Sequence, residues 1–118
     1  MSVDDEASIL LTRQQILESE GYKLLNAASG EEALRIFAVH PVDLVLLDYV
    51  MPGVDGGMVA KAIKRHTAEV PIIMVSASPV PQETAQLADC LITKGQGPRL
   101  LLQKIRDHLA AVPNRRSI

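Results

Sequence analysis

The sequence predicts an α/β domain in which a parallel sheet is covered by helices on both faces. Three observations lead there. Two apolar runs, Leu44 to Leu47 and Pro71 to Val75, show no polar alternation and are closed by turn signals, as strands buried on both faces are. Strand-like runs alternate with helix-like segments along the whole chain, the pattern of a doubly wound sheet with right-handed crossovers. The run at Leu44 stops at a carboxylate, Asp48, followed at once by Met51-Pro52-Gly53. That places Asp48 at the carboxyl end of a central strand, where open α/β sheets hold their ligands.

The elements follow in order. Only Met1, Ser2 and Val3 precede the acidic pair Asp4-Asp5, so the first strand is a stub, or the sequence begins inside a longer reading frame. A stub leaves neighbouring strand edges short of backbone partners, to be relieved by water, a rearranged N-terminus or another chain. Ala7 to Glu20 reads as a helix. Ile9 and Leu10 recur one heptad later as Ile16 and Leu17, Thr12 and Arg13 interrupt the apolar face, and Gly21 is the C-cap. Tyr22 to Ala27 is a second strand. Ser29-Gly30-Glu31-Glu32 has the capping-box pattern and opens a helix that buries Ala33, Leu34 and Phe37.

After Asp48, Asp55 is a turn residue bonding to backbone near Gly56. Met58 to about His66 forms a helix with Met58, Val59, Ala62 and Ile63 on its core face. The strand from Pro71 is followed by a loop, Ser76 to Pro81, holding two prolines, and only Gln82 to Ala88 remain for a helix. Cys90 to Thr93 is the fifth strand. Pro98 suits the first position of a last helix running from Arg99 to about Val112, with Leu101, Ile105, His108, Leu109 and Val112 on one face.

At 118 residues and 47% apolar composition the chain fits a single domain, residues 1–112, with a frayed tail at 113–118. A net charge of -2 gives no electrostatic case for nucleic acid or a membrane, and Arg115-Arg116 reads as a solvated tail. A lone Cys90 excludes an intramolecular disulfide and, in its apolar run, reads as a buried thiol. There is no apolar segment of membrane-spanning length and no signal-peptide pattern, so a cytoplasmic location is expected.

In a parallel sheet the ends at Asp4-Asp5, Asp48 and Lys94 point to one edge. Clustered carboxylates repel one another, and a hard divalent cation with oxygen ligands is their natural partner. Each residue also has a plainer reading: Asp4 or Asp5 as helix N-cap, Ser76 and Ser78 as loop residues, Lys94 as a solvated strand-end lysine.

The chain resembles the receiver domains of response regulators in two-component signalling. The resemblance rests on Val3-Asp4-Asp5-Glu6, on LLDYVMPGVDG from Leu46 to Gly56, on PIIMVSAS from Pro71 to Ser78 and on LITKG from Leu91 to Gly95. It implies a flavodoxin-like five-stranded parallel sheet of order 2-1-3-4-5, with a truncated first strand and a short fourth helix. It implies Asp48 as phosphoacceptor and Mg²⁺ held by Asp5, Asp48 and the backbone carbonyl of Val50, with Asp4 acting through a water. Ser76, Lys94 and the backbone of Ala77 are implied to bind phosphate, Ser76 engaging only in the phosphorylated state.

The resemblance also implies a stand-alone signalling module that catalyses only its own phosphorylation and dephosphorylation. Its donor would be a sensor histidine kinase or phosphotransfer protein, its downstream partner another protein, and a homodimer is allowed. The alternative is a pseudo-receiver that docks proteins without phosphorylation. A haloacid-dehalogenase-type hydrolase needs a second Asp two residues after the nucleophile, and Val50 stands there. Departures from the family fall on the output side: Leu91 occupies the usual aromatic position and Gly95 the usual proline.

Overall fold

The computed structural model describes residues 1–110 and residue 118. Strands β1 (Ser2–Val3), β2 (Asn26–Ala27), β3 (Val45–Asp48), β4 (Ile72–Ser76) and β5 (Cys90–Thr93) form one parallel sheet of order β2-β1-β3-β4-β5. The helices are α1 (Ala7–Ser19), α2 (Gly30–Val39), α3 (Gly56–His66), α4 (Gln82–Ala85) and α5 (Pro98–Leu109).

Strand parity sorts the core into two layers. Leu44, Leu46, Ile73 and Val75 pack with Leu17 of α1 and with Ile105 and Leu109 of α5. Val45, Leu47, Ile72 and Met74 face the other way, onto Ala33 of α2 and Val59, Ala60 and Ile63 of α3. With helices on both sides, β3 and β4 are buried throughout, which is why their sequences carry no alternation.

Helix boundaries follow local chemistry. The capping box at α2 forms: Ser29 Oγ accepts from the Glu32 amide at 3.1 Å, and Glu32 Oε1 accepts from the Ala28 amide at 2.8 Å. Asp55 caps α3, its Oδ1 accepting from the Met58 amide at 2.9 Å. After α1 the chain turns at Gly21 with φ +89°, and the Gly21 and Tyr22 amides donate to Glu18 and Leu17 carbonyls.

Several expectations are corrected. The second strand spans only Asn26–Ala27 instead of Tyr22 to Ala27, because β1 offers just Ser2 and Val3 for its ladder. α3 begins at Gly56, and Met58 is exposed because the core face turns through Val59, Ala60 and Ile63. α4 is a single turn, its apolar residues Leu87 and Ala88 lying beyond it. Cys90 is half-buried, since β5 is an edge strand that buries only Ile92. Arg13 does not interrupt the apolar face of α1: it lies on that face, buried between Leu10 and Leu17.

The stub is relieved from within the chain. The Ser2 amide donates to Leu25, the Leu46 amide to the Met1 carbonyl, and the Met1 ammonium to the Leu44 carbonyl at 2.6 Å. On the outer side of β2, the Ile118 amide donates to Lys23 and its carbonyl accepts from Leu25, each at 2.7 Å, with Ile118 fully buried. The rest of the tail expected to fray, together with the expected end of the last helix at Val112, falls on residues 111–117, outside the described residues.

Candidate functional site

The parity that sorts the core also assembles the site. Ser2 and Asp4 on the first strand, and Leu44, Leu46 and Asp48 on β3, alternate onto the α1–α5 side, so Asp4 and Asp48 meet at the carboxyl edge of the sheet. Asp5 joins them, and one carboxylate oxygen from each of Asp4, Asp5 and Asp48 lies within 4.8 Å of the others. Asp4 and Asp48 are buried, while Asp5 is exposed. Lys94, at the end of β5, brings its Nζ to 3.3 Å from Asp48 Oδ1 and 3.5 Å from Asp4 Oδ2. The four chemically active residues singled out in the sequence are thus brought together.

A fifth charge was not anticipated. Arg13 extends from α1 to place Nη2 at 3.4 Å from Asp4 Oδ2 and Nη1 at 3.4 Å from Ser2 Oγ. The signal for it lay in the spacing: residue 13 follows Leu10 by three and precedes Leu17 by four, on the buried stripe of the helix. Asp4 is fully committed, since its Oδ1 accepts from the Glu6 amide at 3.0 Å and its Oδ2 lies between two cations.

Crowding shows in the proton affinities. Burial, then the neighbouring Asp4, raises Asp48 from 3.8 to about 6, against the pull of Lys94. Partial burial alone would lower the Lys94 ammonium, but Asp4 and Asp48 outweigh it and raise its pKa. Desolvation lowers that of Arg13, opposed by Asp4 and Asp48, yet a guanidinium keeps its charge at any physiological pH.

The loops around the site are shaped by close backbone approaches. A Cβ at Gly56 would collide with the Asp48 carbonyl oxygen, and the Gly56 amide donates to the Tyr49 carbonyl at 2.9 Å. A Cβ at Gly30 would strike the Val54 carbonyl oxygen, and Glu31 Oε1 accepts from the Val54 amide at 3.1 Å. The turn after Asp48 is thereby pinned to the start of α2, leaving the side chain of Val50 exposed at the mouth of the site.

On the other flank, Ser76 is buried and its hydroxyl is satisfied locally. It donates to the Ser78 carbonyl at 2.7 Å and accepts from the Ser78 amide at 3.1 Å. Ala77 is exposed, in a loop that lines an open pocket of about 300 Å³ with Leu91 and Thr93. Leu91 is half exposed and supplies no aromatic ring there. Gly95 adopts φ +90°, a conformation closed to proline, whose ring fixes φ near −65°.

The donor set suits a hard divalent cation. Three carboxylates converge, all their ligand atoms are oxygen, and burial together with the neighbouring Asp4 leaves Asp48 holding its proton to about 6. A buried carboxylate at a strand end, with an ammonium in contact and a hydroxyl on the adjoining strand, is equipped to act as an anionic nucleophile and to compensate charge on an incoming group.

A family model for the response regulator receiver domain matches residues 1–106. A probable transcriptional regulator, ycf27, of Cyanidium caldarium is 38% identical over 117 residues, covering 96% of this chain and 47% of its own length. The response regulator SaeR of Staphylococcus aureus is 33% identical over 111 residues, covering 91% of this chain and 48% of its own. The chain therefore spans about half the length of the curated relatives it matches.

Among solved structures, TrrA of Thermotoga maritima, a response regulator in complex with Mg²⁺-BeF, superposes with a TM-score of 0.86 at 34% identity, covering 92% of this chain and 96% of that one. A CheY-like receiver domain of Methanospirillum hungatei gives 0.87 at 31% identity, covering 93% and 91%. Among the described residues no helix is long and apolar enough to cross a membrane. With its parallel sheet of order 2-1-3-4-5 and its acidic edge, the chain belongs to the receiver domains of two-component response regulators, which are signalling modules served by histidine kinases or phosphotransfer proteins.

Proposed function

We propose that this domain accepts a phosphoryl group on Asp48 from a sensor histidine kinase or phosphotransfer protein in a Mg²⁺-dependent reaction. The observation that carries the reading is the buried Asp48, paired with Lys94 at 3.3 Å and crowded by Asp4 and Asp5 at one sheet edge. Its working location is the cytoplasm, and its output contacts are with protein.

In the transfer, an ionised Asp48 oxygen attacks the phosphorus of a phosphohistidine. The new O–P bond forms as the P–N bond breaks, and the imidazole nitrogen leaves with the bonding pair. Asp5, Asp48 and the Val50 carbonyl would hold Mg²⁺ directly, with Asp4 behind a water, because Asp5 is exposed whereas both Asp4 oxygens are engaged. Bound there, the cation supplies positive charge to the phosphoryl oxygens. Lys94 exchanges its contact with Asp48 for a phosphoryl oxygen. The Ala77 amide and the Ser76 hydroxyl meet the others once Ser76 leaves Ser78, drawing the loop inward.

Incubation with acetyl phosphate and Mg²⁺ should add one phosphoryl group, located at Asp48 by mass spectrometry and absent in Asp48→Asn. Labelling that persists in Asp48→Asn would falsify the assignment, and no labelling under any condition would leave the docking-module alternative. In Mg²⁺ titrations Asp5→Asn should weaken binding at least tenfold, and Asp4→Asn less.

The switch is checked by amide chemical shifts on adding beryllofluoride. They should move across residues 76–81 and around Lys94. Shifts confined to Asp4, Asp5 and Asp48 would mean that the loop does not respond.

Proton linkage gives a further test, without Mg²⁺. The raised pKa of Asp48 means that its ionisation penalises the folded state, the penalty growing as pH rises from 3.8 and complete above about 6. Asp48→Asn removes that penalty, which is on the order of 2 kcal/mol. The variant should therefore melt several degrees above the parent at pH 8, and the difference should shrink as pH falls towards 4. An advantage that stays constant across this range would show that Asp48 carries no such penalty.

A further inference from the structure

Arg13 brings a second cation to the site beside Lys94. Lys94 is partly exposed and free to exchange partners, whereas only 7% of Arg13 is accessible and its guanidinium is engaged by Ser2 and Asp4. It touches Asp4 from the helix side while Lys94 touches the same oxygen from β5. Three carboxylates therefore face two cations, one of them permanent and fixed.

We propose that Arg13 is a positioning residue that holds Asp4 and acts as a built-in competitor of the divalent cation, setting the Mg²⁺ affinity of the pocket below that of the same three carboxylates facing Lys94 alone. This rests on the reading of the pocket as a Mg²⁺ site. The physical basis is direct. Arg13 contacts a carboxylate whose own field contributes to metal binding, and at short range in a partly desolvated pocket its repulsion of a dication is only weakly screened. Its contacts are single and long, 3.4 Å each, so it is a counter-charge and not a bidentate clamp. The arrangement stabilises the metal-free pocket, in which Asp4 is wholly buried and would otherwise share only Lys94 with Asp48.

The test is Mg²⁺ binding by calorimetric titration and melting temperature with and without Mg²⁺, for the parent, Arg13→Met, Arg13→Gln and Arg13→Lys. The neutral variants should bind Mg²⁺ roughly tenfold more tightly. They should also melt lower without metal and gain more on its addition. Arg13→Lys, which keeps the charge, should stay near the parent affinity. Adding Asp4→Asn to Arg13→Met should restore much of the metal-free stability.

Unchanged or weaker Mg²⁺ affinity in both neutral variants, with the parent binding normally, overturns the Arg13 assignment alone. No binding by the parent or any variant overturns the reading of the pocket as a Mg²⁺ site, and this inference with it. Binding that appears only when Arg13 is neutral supports the competitor role in its strongest form. If Arg13→Met fails to fold, Arg13→Gln decides the case, because an amide can still hydrogen-bond Ser2 and Asp4 without carrying charge.

Discussion

Two carboxylates share the buried edge of this sheet, and much of the surrounding structure answers to their repulsion. Asp4 and Asp48 are placed together by strand parity, not by attraction. What holds them is the charge brought from elsewhere: Lys94 at the end of β5, Arg13 from α1, and the amide of Glu6 at the first turn. Burial first, and the neighbouring Asp4 second, make Asp48 reluctant to ionise. A folded state that tolerates such crowding gives up stability at the point where its chemistry occurs, as strained functional sites do.

Much of this was legible in the sequence, for a physical reason. The β3 and β4 runs are buried on both faces, so composition alone marks them, and a charge or hydroxyl at their ends stands out as a break in an apolar run. Asp48 stood out that way, and Lys94 did so at the end of the Cys90–Thr93 run, whereas Ser76 entered through the family resemblance. Arg13 escaped because a basic residue on a helix is ordinarily solvated, and only the spacing 10, 13, 17 argues otherwise. The extents of β2 and α4 escaped because both are decided by neighbours. β2 is as long as the stub beside it allows, and the α4 segment has few buried contacts to override its prolines. The place of Ile118 beside β2 has no local sequence signal, since it is set by a free sheet edge.

Two glycines show how tightly the loop after Asp48 is drawn. Gly56 lets the start of α3 lie against the carbonyl of Asp48, and Gly30 lets α2 lie against that of Val54. Their role is absence of bulk, and φ at neither position requires glycine. The backbone that follows Asp48 is thus fixed from two sides, whereas the loop after Ser76 is tied mainly by one serine to another.

The small ring formed by Ser76 and Ser78 has a consequence for the character of the response. At rest the hydroxyl already makes two hydrogen bonds, at 2.7 and 3.1 Å, so the resting loop is a satisfied conformer and not a frustrated one. An arriving anion offers a charge-assisted bond in exchange for neutral ones, a net gain of roughly 1–2 kcal/mol. A difference of that size shifts the ratio of two conformers by about 5- to 30-fold, well short of the several thousandfold that separates a fully closed state from a fully open one. Under the proposed phosphorylation, a shift of that size would make the domain a dimmer in place of a toggle, and a partner preferring the drawn-in loop would have to supply the remaining bias through its own differential affinity.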